Sequence, residues 1–113
     1  MGKQEDNFCN RLIKILTSKG YLVLNCGKKQ IFDLVAMKDQ IAFPIEVKAK
    51  KTDYDDEQFD RQMIIAEKSN IIFFVIRQSK RKGKMFITAY GDIAFQFKQK
   101  HQNFVNDLGE YIV

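Results

Sequence analysis

The stretch that decides the fold is Phe32–Lys50, FDLVAMKDQIAFPIEVKAK. It reads as two strands, Ile31–Met37 and Ile41–Ala49, linked only by Lys38, Asp39 and Gln40, so the chain must return on itself as an antiparallel hairpin. With Asp39 and Gln40 as a two-residue turn, Lys38 faces Ile41, Val35 faces Pro44, and Asp33 faces Glu46. One face then carries Phe32, Leu34, Ala36, Ile41, Phe43, Ile45 and Val47. The other carries Ile31, Asp33, Val35, Met37, Ala42, Pro44, Glu46 and Lys48. A slip of one residue would move carboxylates among the apolar set, so burial selects this register. Pro44 agrees with it, because the pair with Val35 is a non-hydrogen-bonded one that needs no N–H.

Working outward, Phe8, Leu12, Ile13 and Leu16 recur at helical spacing within Gln4–Ser18, and Gly20 stands where a helix C-cap is expected. Tyr21–Cys26 reads as a strand, followed by the polar turn Gly27–Gln30. On the other side of the hairpin, Asp55–Ser69 reads as a helix with Phe59, Met63 and Ala66 on one stripe and Thr52 or Asp53 as its cap. Asn70–Gln78 is apolar on both faces, the mark of a central strand. The order strand, helix, strand favours a right-handed parallel crossover. A basic turn over Ser79–Lys84, a strand over Met85–Tyr90 and a helix from Asp92 to about Leu108 complete the pattern. The expected fold class is α/β, a mixed β-sheet with flanking helices, in which an α-β-β-β-α-β core is extended by a C-terminal strand and helix within one domain spanning residues 1–113.

The chain has 113 residues, 45% of them apolar, enough for one core. Its net charge of +5 favours polyanionic partners. Cys9 and Cys26 have no metal-ligand spacing, and no N-terminal apolar run resembles a signal peptide or a membrane span, so reduced thiols, a cytoplasmic location and no membrane are expected. His101, the only histidine, lies in the polar run KQKHQN and is expected at the surface. One such residue leaves His-rich metal centres and Ser-His-Asp catalysis little to work with. Gly27-Lys28-Lys29 is too short for a phosphate-binding P-loop.

The chemistry lies in the hairpin. Two carboxylates facing each other with Cβ atoms about 4.5–5.5 Å apart repel unless a cation or a shared proton holds them. A divalent metal resolves the conflict, and hard oxygen ligands suit Mg²⁺ or Mn²⁺. Lys48, two residues beyond Glu46, projects to the same face, where an ammonium orients an attacking water or stabilises charge on a phosphate. The competing reading is a polar patch in which Lys48 pairs with Glu46 or Asp33.

Asp33, twelve intervening residues and then Glu46-Val47-Lys48, set on strands after an N-terminal helix, resemble the PD-(D/E)XK nuclease superfamily, and the likeness is greatest to the small archaeal-type and phage-type Holliday junction resolvases. It extends over Glu5–Arg77, through GYLVLNCG, FDLVAMK, PIEVKAK and YDDEQFDRQ. The resemblance implies a restriction-endonuclease-like fold and a metal-dependent endodeoxyribonuclease in which Asp33 and Glu46 bind Mg²⁺ or Mn²⁺, the Val47 carbonyl completes the shell and Lys48 is catalytic. It also implies an additional acid at Glu5, which shares a helix face with Cys9, Leu12 and Leu16, and a glutamine beside the site at Gln58. Phe32 stands where the motif has its proline, and Gly27–Gln30 lacks the serine such resolvases place there. The implied substrate is branched DNA. The alternatives are a phage or mobile-element nuclease acting on duplex or single strands, and a non-catalytic nucleic-acid-binding module that retains the fold. Lys28, Lys29, Lys50, Lys51, Lys80, Arg81 and Lys82 are the expected contacts to the phosphate backbone. Two cuts related by two-fold symmetry require a homodimer, for which the last helix offers Phe97, His101, Phe104 and Leu108, with Phe95 and Val105 off that stripe.

Overall fold

Residues 3–27, 30–49, 55–79, 84–93 and 97–109 are described by a computed structural model of the chain. The hairpin register is the expected one. Strands β2 (Leu34–Lys38) and β3 (Ile41–Lys48) pair antiparallel, Lys38 facing Ile41 and Val35 facing Pro44. Asp39 and Gln40 have φ of 54° and 68°, the left-handed pair that a two-residue turn needs to match the strand twist.

The ladder nevertheless ends early. Its last pair is Leu34 with Ile45, and Asp33 does not stand opposite Glu46. Its N–H donates to the Ile45 carbonyl at 3.0 Å, so Asp33 and Leu34 both address Ile45. Two residues against one make a β-bulge, which twists a strand and re-aims its side chains. Phe32 changes face as a result: expected beside Leu34 and Ala36, it packs instead with Phe73, Val75 and Ala66. Residues Ile31 to Asp33 bend rather than extend.

Five strands form one mixed sheet in the order β1-β2-β3-β4-β5, with β1 at Leu22–Asn25, β4 at Ile72–Gln78 and β5 at Met85–Gly91. β3 and β4 run parallel, and the other neighbours are antiparallel. β4 lies inside the sheet and is buried on both faces from Ile72 to Ile76, as its unbroken apolar run requires. Helices α1 (Lys3–Ser18) and α3 (Gln99–Gly109) cover one face. There Phe8, Leu12 and Leu16 meet Leu34, Phe43, Ile45, Phe74, Phe104 and Leu108 in the main core. Helix α2 (Asp56–Ser69) covers the other face over the smaller cluster of Phe32, Ala66, Phe73 and Val75.

The helix ends follow local chemistry. After Ser18, the Tyr21 N–H returns to the Leu16 carbonyl and the Gly20 N–H to that of Thr17, both at 3.0 Å, a pattern that closes on a left-handed residue, here Gly20 at φ 92°. Tyr21 then donates its hydroxyl to the Asp107 carboxylate of α3 at 2.8 Å. Helix α2 is capped by Asp55, whose side chain accepts the Glu57 N–H. The expected caps Thr52 and Asp53 lie outside the described residues. Gly91 is irreplaceable on space alone, since a Cβ there would meet the Ile71 carbonyl oxygen at 2.6 Å.

The C-terminal helix differs from expectation in two ways. Ile93 is helical and its carbonyl accepts the Phe97 N–H at 3.1 Å, but the helix is interrupted at Phe97 and Lys98, and α3 starts at Gln99 instead of running on from Asp92; the His101 ring nitrogen Nδ1 accepts the Lys98 N–H at 3.1 Å and closes its first turn. His101 is buried, not at the surface, set against the ring edge of Phe43 at 5.6 Å. Burial, aided by the Lys98 charge, lowers its pKa. The stripe His101, Phe104 and Leu108 packs into the chain's own core, so it is not the dimer surface the sequence suggested. Among the described residues, no helix is long and apolar enough to cross a membrane.

Phe43 and Phe104 stack at 4.6 Å with an interplanar angle of 5°, and both are fully enclosed. Replacing Phe104 by Ala is expected to cost about 3–5 kcal/mol in urea unfolding. Gln40→Gly, by contrast, relieves a left-handed side-chain residue in the hairpin turn and is expected to add about 0.5–1 kcal/mol in the same measurement.

Candidate active site

Glu46 is 2% exposed and Lys48 is 9% exposed, on a strand whose other residues from Phe43 to Ala49 are buried and apolar. Strand alternation turns Phe43, Ile45 and Val47 toward the main core and therefore turns Glu46 and Lys48 toward α2. A carboxylate held there needs donors. Gln62 of α2, wholly buried, donates Nε2 to Glu46 Oε1 at 2.9 Å and to the Ile31 carbonyl at 2.7 Å. Gln58, one helical turn earlier, donates Nε2 to both Glu46 oxygens at 3.3 and 3.4 Å. Lys48 Nζ completes the set at 3.3 Å from Oε2.

Asp33 reaches the same strand by another route. Re-aimed by the bulge, its Oδ2 accepts the Val47 N–H at 2.8 Å, which fixes the carboxylate at the sheet end of β3. The Cys26 N–H meanwhile donates to the Asp33 carbonyl at 2.9 Å and keeps β1 in step with it. Asp33 and Val47 open onto a cleft of about 330 Å³ beneath α1. Asp6, Cys9 and Asn10 of α1 form one wall, and Asn25 and Gly27 at the end of β1 form another.

The electrostatics follow from this packing. Burial pushes the Glu46 carboxyl up to about 7, the Asp33 charge adds to that, and the Gln62 hydrogen bond and Lys48 only partly oppose it. Burial likewise raises the Cys26 thiol, with Asp33 contributing. Asp33 and Glu46 are thus coupled without being a facing pair. The conflict inferred from the hairpin exists, displaced by one bulge.

Of the expected site residues, Lys48 and Gln58 meet Glu46 on the α2 side, while Asp33 is held by the Val47 N–H and acts on Glu46 through its charge. Glu5 lies on α1, and its side chain is outside the description. Lys28, Lys29, Lys50, Lys51, Lys80, Arg81 and Lys82 fall outside the described residues. Two participants were overlooked in the sequence. Gln62 makes the shortest hydrogen bond to Glu46, at 2.9 Å, and its spacing of four from Gln58 puts both on one helix face, a signal present in the sequence. Asp6 shares the cleft with Asp33, and nothing in the helical periodicity marks it. Among the described residues, no group of three or more His, Cys, Asp and Glu side chains is placed to hold a metal.

No protein-family model matches the chain, and a comparison with curated proteins returned no match.

Glu46 makes stability depend on pH in a definite direction. Its carboxyl titrates near 7 in the fold and near its ordinary 4.5 when unfolded, so between those values the native state holds a proton that the unfolded chain releases, and stability falls as pH rises. Glu46→Gln removes that dependence. Without divalent cations, the variant should exceed the parent by about 2 kcal/mol at pH 8, with the gap closing toward pH 5. Urea unfolding in chelator at the two pH values tests this, and an identical difference at both would refute it.

Proposed function

We propose that the chain is a divalent-metal-dependent endodeoxyribonuclease of the PD-(D/E)XK type, with a restriction-endonuclease-like fold, acting on branched or otherwise structured DNA. The observation that carries the reading is Glu46: a carboxylate enclosed on a core strand, held by two glutamines and a lysine, with a second carboxylate delivered beside it by a bulge. Burial alone accounts for donors around Glu46, but not for a second acid held by the Val47 N–H with its charge acting on the first.

The donor set fits a hard cation. It offers carboxylate oxygens from Asp33 and Glu46 and the backbone of Val47, and Mg²⁺ or Mn²⁺ binds through one or two protein carboxylates while taking waters and phosphate oxygens for the rest. Asp33, Glu46 and the Val47 carbonyl would hold the ion, which when bound supplies a Lewis acid for the phosphate and a more acidic water. The remaining work belongs to the chain. Gln62 and Gln58 hold the Glu46 carboxylate in one orientation, and the Val47 N–H does the same for Asp33. Lys48, tethered by Glu46, presents an ammonium where charge develops on the scissile phosphate. Cleavage of a junction would require two copies of the chain, through a surface other than the α3 stripe.

Labelled single-stranded, duplex and four-way-junction DNA, incubated with Mg²⁺, Mn²⁺ or chelator, tests the reading on one gel. Cleavage is expected only with metal. Asp33→Asn and Glu46→Gln should lower the rate by at least about 100-fold, and Lys48→Ala by roughly 100- to 10,000-fold while DNA binding persists. Full activity in chelator, or normal cleavage by Lys48→Ala, would overturn it.

A further inference from the structure

Three adjacent strands bring three dissimilar side chains into one row. β3 sets Lys48 beside Arg77 of β4, and β4 sets Arg77 beside Phe86 of β5. All three lie on the face covered by α2: Phe73 and Val75 of β4 and Tyr90 of β5 pack with Ala66 of that helix, and alternate residues of a strand share a face. The helix covers this face unevenly. Phe59 of α2 contacts the Tyr90 ring at 4.9 Å, and Tyr90 in turn stacks on Phe73 at 5.6 Å. Four residues along β5, Phe86 is 62% exposed. One exposed aromatic is ordinary on a protein surface. Phe86 differs in its neighbours, because it ends a row of two cations, one of which is the lysine assigned to the scissile phosphate. Two strand spacings put Phe86 about 10 Å from Lys48 along the sheet.

We propose that Arg77 and Phe86 form a nucleotide subsite, in which an unpaired DNA base stacks on the Phe86 ring, Arg77 takes the adjoining phosphate, and Lys48 meets the phosphate to be cut. The proposal rests on the nuclease reading and narrows it to a substrate class. A base offers its flat face to an aromatic side chain only when it is unstacked, as in a single strand, a flap or the opened arm of a branch; within a closed duplex both faces are taken by neighbouring pairs. Stacking is indifferent to sequence, since every base has such a face, so the subsite selects for strand state and not for base identity. The net charge of +5 adds a general attraction for the backbone.

Binding in chelator separates this proposal from catalysis. The probes are a fluorescein-labelled oligothymidylate and a blunt duplex of the same length, read by anisotropy. Phe86→Ala should weaken binding of the single strand by roughly 5- to 100-fold and of the duplex by less than about twofold, while Phe86→Trp keeps the single-strand affinity. Arg77→Ala should weaken both and reduce the salt dependence by about one phosphate contact. Unchanged single-strand binding by Phe86→Ala, or equal loss on both probes, overturns the proposal. A parent protein that cuts DNA while Phe86→Ala binds normally would sink the subsite and leave the nuclease; a parent that never cuts would sink the nuclease, whatever the binding shows.

Discussion

Burying a carboxylate on a core strand is costly unless hydrogen-bond donors meet it there, and Glu46 sets this requirement for the middle of the molecule. Its strand cannot be turned over, because Phe43, Ile45 and Val47 fill the opposite face. The donors must come to it. They arrive on α2, the helix that links β3 to its parallel neighbour β4, and the apolar run of β4 gives that crossover a place to dock. Gln58, Gln62 and Lys48 then surround one acid, while the bulge brings a second acid to the neighbouring backbone.

Much of this was legible in the sequence because it depends on period and parity. The hairpin register followed from keeping Glu46 and Lys48 off the face of Phe43 and Ile45, and the inner position of β4 followed from a segment with no polar face. What could not be read was any departure from period two. Nothing in Ile31-Phe32-Asp33 announces that Asp33 shares Ile45 with Leu34, yet that one shift moved Phe32 to the other face and changed how the two carboxylates meet. The site was legible as a set of residues and illegible as a geometry.

His101 shows the opposite failure. Its polar neighbours Lys100 and Gln102 belong to the outer surface of α3, so local composition argued for exposure. The helical stripe with Phe97, Phe104 and Leu108 carried the better information. Read by period, the residue belongs inside, where its ring fills space among phenylalanines and its nitrogen replaces a missing backbone acceptor for Lys98. The same stripe taken as a surplus of apolar residues suggested a dimer face. It is the floor of the main core.

Gln62 donates one nitrogen to both the Ile31 carbonyl and Glu46, and so ties α2 to the bent segment and to β3 at once. Ile31 opens the bent segment that ends at Asp33, and that segment is also held to β3 directly, by the Asp33 N–H on the Ile45 carbonyl and the Val47 N–H on the Asp33 carboxylate. Local unfolding of α2 would take the Gln58 and Gln62 donors from Glu46 and the Gln62 bond from Ile31, while leaving the bonds of Asp33 to β3 in place. The acidity of Glu46 and the order of that helix therefore rise and fall together, whereas Asp33 and the Val47 amide keep their own tie to the sheet.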